Sequence, residues 1–379
     1  MVDFSSTSQQ TAWPTSPVPV DRLHADSRSY RRSDYPFVNN VRFLSMVAIV
    51  WVHSEFLWGR PANGVYHIQP VLLQLMKFGT IGFFLISGFL LGEGLTRDSP
   101  RQYFYRRFHS VFVPWLFWGF LWLMIAVSSD FLGGNHADSL RSSLRLVAGQ
   151  YVRFVFTQSI YWYVPNFFVC MAIVIGLYRR VPDYVQGATY LAMSLLYGVN
   201  VYLEIIPTRH TSALLGFVFY LWLGSFAYKH REALSRWLSR ISWMRLIMYA
   251  SIAGGLALVE THVLRLMHRG DSANILRISN QVYAVLAVLM IVKCRRRLYP
   301  ASIDVRAETF GIYLIHPILI EIYYIAAAHL PVPNGMRIDP NGPLTLLVGV
   351  AMFLAIYALS LTATKQINKV ASLRWIVGR

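Results

Sequence analysis

The chain has 379 residues, of which 55% are hydrophobic and only 14% are charged, and its mean hydropathy is +0.42. A soluble domain carries about 25% charged residues, so the composition excludes an ordinary soluble protein and indicates a polytopic membrane protein. The formal net charge of +17 would suit a nucleic-acid-binding protein, but the placement of the basic residues has another explanation.

Ten apolar stretches are long enough to be predicted as membrane-spanning helices. They lie near residues 38–58, 72–95, 109–130, 161–178, 185–203, 210–228, 242–264, 275–293, 307–329 and 342–364. When the loops are assigned alternately to the two sides, most of the 35 Lys and Arg residues fall on the side of both termini. Basic loops stay in the cytoplasm, so both termini are predicted to be cytoplasmic. The predicted fold class is an all-α, polytopic integral membrane helical bundle of about ten transmembrane helices, and no nucleic acid partner is expected.

Two short segments flank the predicted membrane domain at 37–365. Residues 1–36 are rich in Ser, Pro and Arg and contain no apolar h-region, so we expect a disordered cytoplasmic tail rather than a cleavable signal peptide. Residues 366–379 are predicted to form a second cytoplasmic tail. Cys170 and Cys294 lie on different spans without ligand-like spacing, so we expect neither a disulfide framework nor a metal site.

The first span contains two ionisable residues, Arg42 and His53. Ionisable side chains inside a membrane are costly and mark functional sites by default. Their separation is about three helical turns, which places both side chains on one face, roughly 16 Å apart along the axis. A neutral imidazole can act as a general base near neutral pH. The structural alternatives are a histidine hydrogen-bonded between helices and an arginine that snorkels to the interface.

The second span contains the run Phe78–Gly94, in which small residues recur. Gly88 and Gly92 form a GxxxG pair, whose usual meaning is close helix packing. The functional alternative is that Ser87 and Gly88 thin one wall of the helix, so that a narrow thioester chain passes beside it. The sequence leaves both interpretations open.

A basic segment, Tyr103–Trp118, leads from a predicted cytoplasmic loop into the third span and carries Arg106 and Arg107. Basic side chains at this surface can hold the phosphates of a cofactor through charge-assisted hydrogen bonds. They can equally be topology signals or contacts to anionic lipids. Composition alone favours neither interpretation.

Two aromatic-rich segments lie further along the chain. Tyr161–Phe168 contains Trp162 and opens the fourth span, where aromatic residues normally form an interfacial belt. Phe310–Tyr324 places His316 inside the ninth span, and an isolated histidine at such a position is more often structural than functional.

Taken in order, these segments resemble the acyltransferase 3 family of membrane acyltransferases. The run from Arg42 to His53, RFLSMVAIVWVH, is similar to that family's first-helix signature of Arg, ten residues and His. The second-span phrase FFLISGFLL, the basic segment running into Pro114, the aromatic YWYVP and the ninth-span FGIYLIHP resemble later signatures of the family in the same order. The resemblance extends over about residues 38–320.

The resemblance implies an acyl-CoA-dependent O-acyltransferase, usually an O-acetyltransferase, integral to a bacterial cytoplasmic membrane. The donor would be cytoplasmic acetyl-CoA or another acyl-CoA, used as a co-substrate without a metal. The acceptor would be a sugar hydroxyl of a surface or exported glycan, such as an exopolysaccharide or lipopolysaccharide, or of a lipid-linked saccharide.

The resemblance and the sequence pattern together assign roles to nine residues. His53 would be catalytic, either by activating the acceptor hydroxyl or by relaying the acyl group, and Arg42 would support it or hold charge on the donor or the intermediate. The residues expected to hold the donor are Arg106, Arg107, Ser87 and Gly88. The residues expected to contact the acceptor are Trp162, His316 and Glu55.

Two other classes of protein fit parts of the pattern. A transporter or flippase of a lipid-linked sugar could use Arg42 and His53 to bind a phosphate or relay protons, but the sequence shows no inverted repeat. A sensor or scaffold would leave the ionisable residues of the first span unexplained. The sequence therefore favours the enzyme.

Overall fold

The computed structural model describes residues 35–54, 69–132, 149, 160–209, 213–329 and 343–379. Every regular element within these ranges is helical, which confirms the predicted all-α class. Glu55 and nearly all of the predicted tail at residues 1–36 lie outside the described ranges.

The α-helices are numbered here in chain order. They are α1 (Pro36–Ser54), α2 (Gln69–Met76), α3 (Gly79–Gly94), α4 (Pro100–Arg107), α5 (Val113–Leu132), α6 (Tyr163–Leu177), α7 (Asp183–Leu203), α8 (Val218–Lys229), α9 (Arg231–Arg240), α10 (Trp243–Leu266), α11 (Ile278–Lys293), α12 (Val305–His329) and α13 (Pro343–Lys369). A π-helix (Phe108–Phe112) joins α4 to α5, and short 3₁₀ segments lie at Ile160–Trp162, Leu214–Phe217 and Ala371–Val377.

Six helical stretches of the described residues are long and apolar enough to cross a membrane. They are Gln69–Gly94, Pro100–Ile125, Ile160–Leu177, Trp243–Leu266, Val305–Ala326 and Leu346–Lys369, and two shorter apolar helices are Leu214–Lys229 and Ile278–Lys293. The chain is therefore a multi-pass membrane protein. Helix α1 is not among the six, since it carries two asparagines and an arginine. The total of ten spans and the cytoplasmic placement of both termini stay predictions.

Helix α1 is packed on several sides by other helices, namely α3, α11, α12 and α13. Near its start, the Phe37 ring meets Phe89 of α3 with a centroid distance of 5.2 Å. Near its end, the Trp51 ring meets Phe353 of α13 at 5.1 Å. These contacts hold both ends of α1 within the bundle and so fix the direction in which its polar residues point.

The buried Asn40 ties the first turns of α1 to the segment that follows α11. Its side-chain amide donates to the carbonyl of Arg296 at 2.8 Å and its Oδ1 accepts from the amide of Leu298 at 3.0 Å. A buried amide side chain that both donates and accepts satisfies two backbone groups outside regular structure. Asn40 therefore has a structural role two positions before Arg42.

Glycines let α3 approach its two neighbours closely. A Cβ atom added at Gly79 would lie 2.9 Å from the carbonyl oxygen of Ser45 on α1. On the α8 side, a Cβ at Gly88 would lie 1.9 Å from the carbonyl oxygen of Leu221, and one at Gly224 would lie 2.0 Å from that of Leu85. The α3–α8 contact is thus made by backbone against backbone, as small residues permit in membrane helices.

The π-helix at Phe108–Phe112 has a local cause in the sequence. Pro114 follows within the next turn, has no N–H, and its ring would collide with the carbonyl of Ser110 in a regular α-helix. Widening the turn to an i to i+5 pattern relieves this conflict, and the amide of Val113 indeed bonds to the carbonyl of Phe108. The basic segment therefore enters the third predicted span through an irregular turn.

The C-terminal residues pack against the bundle. Helix α13 continues to Lys369, so the predicted domain boundary between residues 365 and 366 falls inside it. In the 3₁₀ segment Ala371–Val377, Ile376 and Val377 are buried, and the carbonyl of Ile376 accepts a 2.8 Å hydrogen bond from the indole of Trp118 on α5. Ile376 and Val377 thus pack against the helical bundle, while the predicted domain bounds stay predictions.

A buried arginine outside the predicted site joins three helices. Arg277 is 1% exposed, and each of its three nitrogens donates. Its Nε donates to the carbonyl of Asn274 at 3.0 Å, its Nη2 to Oε1 of Gln74 on α2 at 2.8 Å, and its Nη1 to Thr261 on α10. Beside it, the carboxylate of Glu260 accepts from the first two amides of α11 at 3.1 Å each. We call this set the Arg277 network.

Candidate functional site

Two histidines that are far apart in the sequence meet in the structure. Nδ1 of His53, in the last turn of α1, lies 3.0 Å from Nε2 of His316 on α12. The rings are nearly parallel, with an interplanar angle of 11° and a centroid distance of 5.3 Å. His316 is fully buried, whereas His53 is half-buried. His53, predicted to be catalytic, and His316, predicted to contact the acceptor, therefore form a hydrogen-bonded pair.

The backbone of α12 fixes the other side of the His316 ring. Its Nδ1 lies 3.0 Å from the carbonyl oxygen of Ile312, one turn earlier. Pro317 follows immediately inside the helix and has no N–H, so the carbonyl of Tyr313 lacks its usual helical donor. The YLIHP motif thus places a histidine next to a position of α12 where one backbone hydrogen bond of the helix is missing.

An aromatic chain connects the histidine pair to the small-residue motif of α3. The Tyr313 ring lies 6.0 Å from His316, and Tyr163 of α6 lies 6.0 Å from Tyr313. The hydroxyl of Tyr163 is 3.5 Å from that of Ser87. Ser87, predicted to line the donor path, is therefore linked to the histidine pair through two tyrosines. The sequence pattern predicts only an interfacial belt at Tyr163, and its position next to Trp162 is the one signal that points to this site.

Trp162 is buried in the same aromatic cluster. It is 8% exposed, and its ring lies 5.3 Å from Phe217 and 6.3 Å from Tyr163. It thus contacts the Leu214–Phe217 segment and the start of α6, and Tyr163 and Tyr313 stand between it and His316 in the chain of ring contacts. Its predicted contact with the acceptor stays a prediction.

Gly88 lies beside Ser87 in sequence but on a different face. The backbone of α8 occupies the space beside its Cα, because a Cβ atom added there would lie 1.9 Å from the carbonyl oxygen of Leu221. No acyl chain fits beside Gly88 on that face. The contact with α8 agrees with the close-packing interpretation, whereas the hydroxyl of Ser87 lies beside Tyr163, and the predicted donor contact of Gly88 stays a prediction.

The two arginines of the basic segment make different contacts. Arg106 is exposed and forms an ion pair with Asp98. Arg107 is half-buried and donates from Nε to the hydroxyl of Tyr103 at 3.2 Å. Tyr103 is itself 1% exposed. Arg107 is therefore held on the inner face of α4, whereas Arg106 lies at its surface.

A surface groove of about 810 Å³ lies on the other face of α4, against α6. Its lining includes the charged side chains of Arg101 and Arg180 and the aromatic side chains of Tyr105 and Tyr178. Neither Arg106 nor Arg107 lines this groove. The structure thus presents two basic locations along α4, one at Arg107 facing the bundle and one at Arg101 facing outward.

Arg42 lies on α1, three turns before His53, and is half-buried. The structure places it on the same helix and at the spacing that the sequence predicted. Among the described residues, no three His, Cys, Asp or Glu side chains are grouped so that they could hold a metal ion.

The protein has apolar helices that can span a membrane. It also has a histidine pair between two helices of the bundle, so acid–base groups lie in its interior. Residues 35–364 match the family model described as an acyltransferase domain, which covers most of the chain. The chain belongs to the acyltransferase 3 family, as the order of its motifs predicted. No curated protein and no solved structure matches the chain.

Proposed function

We propose that this membrane acyltransferase transfers an acyl group, in the first instance acetyl, from cytoplasmic acyl-CoA to a sugar hydroxyl of a surface or exported glycan or its lipid-linked precursor. The membrane would be a bacterial cytoplasmic membrane. The observation that carries the proposal is the 3.0 Å contact between His53 and His316, because acyl transfer to a hydroxyl requires a general base and an imidazole is suited to that task near neutral pH.

The reaction balances with His53 as the only proton carrier. Its unprotonated ring nitrogen takes the proton of the acceptor hydroxyl while the hydroxyl oxygen forms a bond to the thioester carbonyl carbon. The carbon–sulfur bond then breaks, and the departing CoA thiolate takes the proton back from the His53 imidazolium. No metal, oxidant or reductant is needed.

The donor would enter from the end of the bundle that carries Arg107. An arginine offers several N–H donors to phosphate oxygens, and the contact of Arg107 with the buried Tyr103 holds it toward the bundle. From there the acyl chain would follow Ser87 and the aromatic chain of Tyr163 and Tyr313 toward the histidine pair. Arg42, on the same helix as His53, would stabilise negative charge on the donor or on the tetrahedral intermediate.

The test is His53→Ala, with His262→Ala as the matched control because His262 is exposed on α10. We expect release of CoA from acetyl-CoA and acetylation of the cells' surface glycan to fall by about 10²–10⁴, the usual contribution of a general base, and the control to keep full activity. The amount of exported glycan should stay unchanged. Loss of export with normal acetylation would overturn the proposal in favour of a transporter.

Sidedness is tested in sealed vesicles of both orientations. We expect inverted vesicles, whose cytoplasmic face points outward, to consume externally added acetyl-CoA, whereas right-side-out vesicles consume it only after permeabilisation. Consumption by intact right-side-out vesicles alone would overturn the cytoplasmic location of the donor site.

A further inference from the structure

We propose that His316 is a positioning residue that selects the tautomer and the orientation of His53, so that the Nε2 atom of His53 is the basic nitrogen. This role rests on the proposed function of His53 as the general base. It replaces the expectation that His316 contacts the acceptor.

The proton of His316 is fixed by the backbone of its own helix. Its Nδ1 lies 3.0 Å from the carbonyl oxygen of Ile312. A carbonyl oxygen can only accept a hydrogen bond, so Nδ1 of His316 must carry a proton. In the neutral ring the other nitrogen, Nε2, then holds the lone pair and is an acceptor.

The lone pair of His316 in turn fixes the proton of His53 on α1. Nε2 of His316 lies 3.0 Å from Nδ1 of His53, and a contact this short between two ring nitrogens needs one proton between them. Because the lone pair is on His316, the proton belongs to Nδ1 of His53. A neutral His53 therefore has its lone pair on Nε2, the nitrogen on the opposite side of the ring from α12.

The His316 ring is also held rigidly in place. It is fully buried, with the α12 backbone on one side and the parallel His53 ring on the other. A histidine whose second nitrogen is held by a fixed acceptor keeps one tautomer and one ring orientation, which is how carboxylates and carbonyls orient catalytic and metal-bound histidines. Here a neutral imidazole, backed by a main-chain carbonyl, takes that place.

The arrangement also serves the charged state of the reaction. After His53 accepts a proton at Nε2, its Nδ1–H still points at the lone pair of His316. The imidazolium is then stabilised by a charge-assisted hydrogen bond without introducing a second permanent charge into the membrane interior. A carboxylate in the same place would be a buried charge whenever His53 is neutral.

Two substitutions of His316 distinguish the effect of its hydrogen-bond acceptor from the effect of its aromatic ring. His316→Gln keeps a side-chain oxygen that can accept from Nδ1–H of His53, and His316→Phe keeps an aromatic ring but no acceptor. We expect the Phe variant to lose about 10²–10⁴ in kcat with KM for acetyl-CoA unchanged, because loss of the correct tautomer has this order of effect in serine proteases. The Gln variant should stay within about tenfold of the parent, since its acceptor is retained. Equal losses in both variants, or none in the Phe variant, would overturn the proposal.

A second measurement does not depend on activity. In the full-length protein labelled with ¹⁵N-histidine and reconstituted in lipid, the His53 signals can be assigned by their disappearance in His53→Ala. We expect a protonated Nδ1 and an unprotonated Nε2 in the parent and a mixture of tautomers in His316→Phe, with Ile318→Val on the same helix as an unaffected control. An unprotonated Nδ1 in the parent would overturn the proposal even if no His316 variant folds. Retained activity in His53→Ala would instead refute the base role while leaving the tautomer assignment intact.

Discussion

The histidine pair and the Arg277 network are both built from ionisable side chains, yet they differ in what their protons can do. Each nitrogen of Arg277 donates to a fixed oxygen, and the neighbouring Glu260 accepts from two backbone amides and from the hydroxyl of Tyr202. Guanidinium does not lose its proton in proteins, so this network can only hold helices together. An imidazole, by contrast, can gain and lose a proton near neutral pH, and His53, the half-buried member of the pair, is the proposed proton carrier.

The difference shows that burial of an ionisable group does not by itself locate an active site. Arg277 is more deeply buried than His53, and it joins elements from three separate parts of the chain. What distinguishes the histidine pair is the imidazole itself, which can change its charge near neutral pH, whereas guanidinium, carboxylate and phenol groups ordinarily do not. Four substitutions test this distinction, from the largest expected effect to the smallest.

Removing the guanidinium from the Arg277 network should cost stability and leave chemistry alone. Arg277→Leu leaves the side chain of Gln74 and the carbonyl of Asn274 without their donor, and we expect a loss of about 3–5 kcal/mol in the free energy of unfolding. Thermal unfolding in lipid nanodiscs measures it, with Arg269→Leu as a surface control expected to cost about 0–1 kcal/mol. If the activity per folded molecule fell as in His53→Ala, the two regions would not be distinct.

A third kind of ionisable group, Arg107, belongs to neither cluster and is the residue proposed above to hold the donor phosphates. Arg107→Gln should raise KM for acetyl-CoA by about 10- to 100-fold, corresponding to one charged hydrogen bond of about 1.5–3 kcal/mol, with thermal stability unchanged. Arg101→Gln is the matched control from the same helix. A larger effect from the Arg101 variant would move the donor phosphates into the outward-facing groove.

A substitution without any charge shows what packing alone contributes. Gly88→Ala places a methyl group where the α8 backbone already lies, and overpacking of this kind costs about 1–3 kcal/mol. Unfolding measurements should detect this loss, and KM for acetyl-CoA should not change in the folded fraction. A raised KM at unchanged stability would return Gly88 to the donor path.

The smallest effect is expected in the aromatic chain. Tyr163→Phe removes a hydroxyl that lies 3.5 Å from Ser87 but keeps the ring contacts to Phe84 and Tyr313. A neutral hydrogen bond is worth about 0.5–1.5 kcal/mol, so turnover should change by less than about tenfold. A loss as large as that of His316→Phe would mean that the Tyr163 hydroxyl takes part in proton transfer.

The sequence predicted the helical class and the family, because both depend on local composition or on ordered short motifs, and the role it predicts for His53 stays a prediction. It did not predict that His316 is the partner of His53, since 263 positions separate the two residues and no periodicity links α1 to α12. It could not decide between packing and donor binding for Gly88, because the answer depends on which helix lies opposite. No sequence pattern singled out Arg277. An arginine next to a predicted outer loop is expected to be solvated, and only the fold places Gln74 and Thr261 beside it.

The backbone contact between α3 and α8 has a consequence for motion. At Gly88 and Gly224 the two helices touch through main-chain atoms, so at this point they cannot slide past each other without separating. Packed interfaces of this kind move as units. Any opening that admits a donor or a glycan must therefore move α3 and α8 together and separate other helices of the bundle.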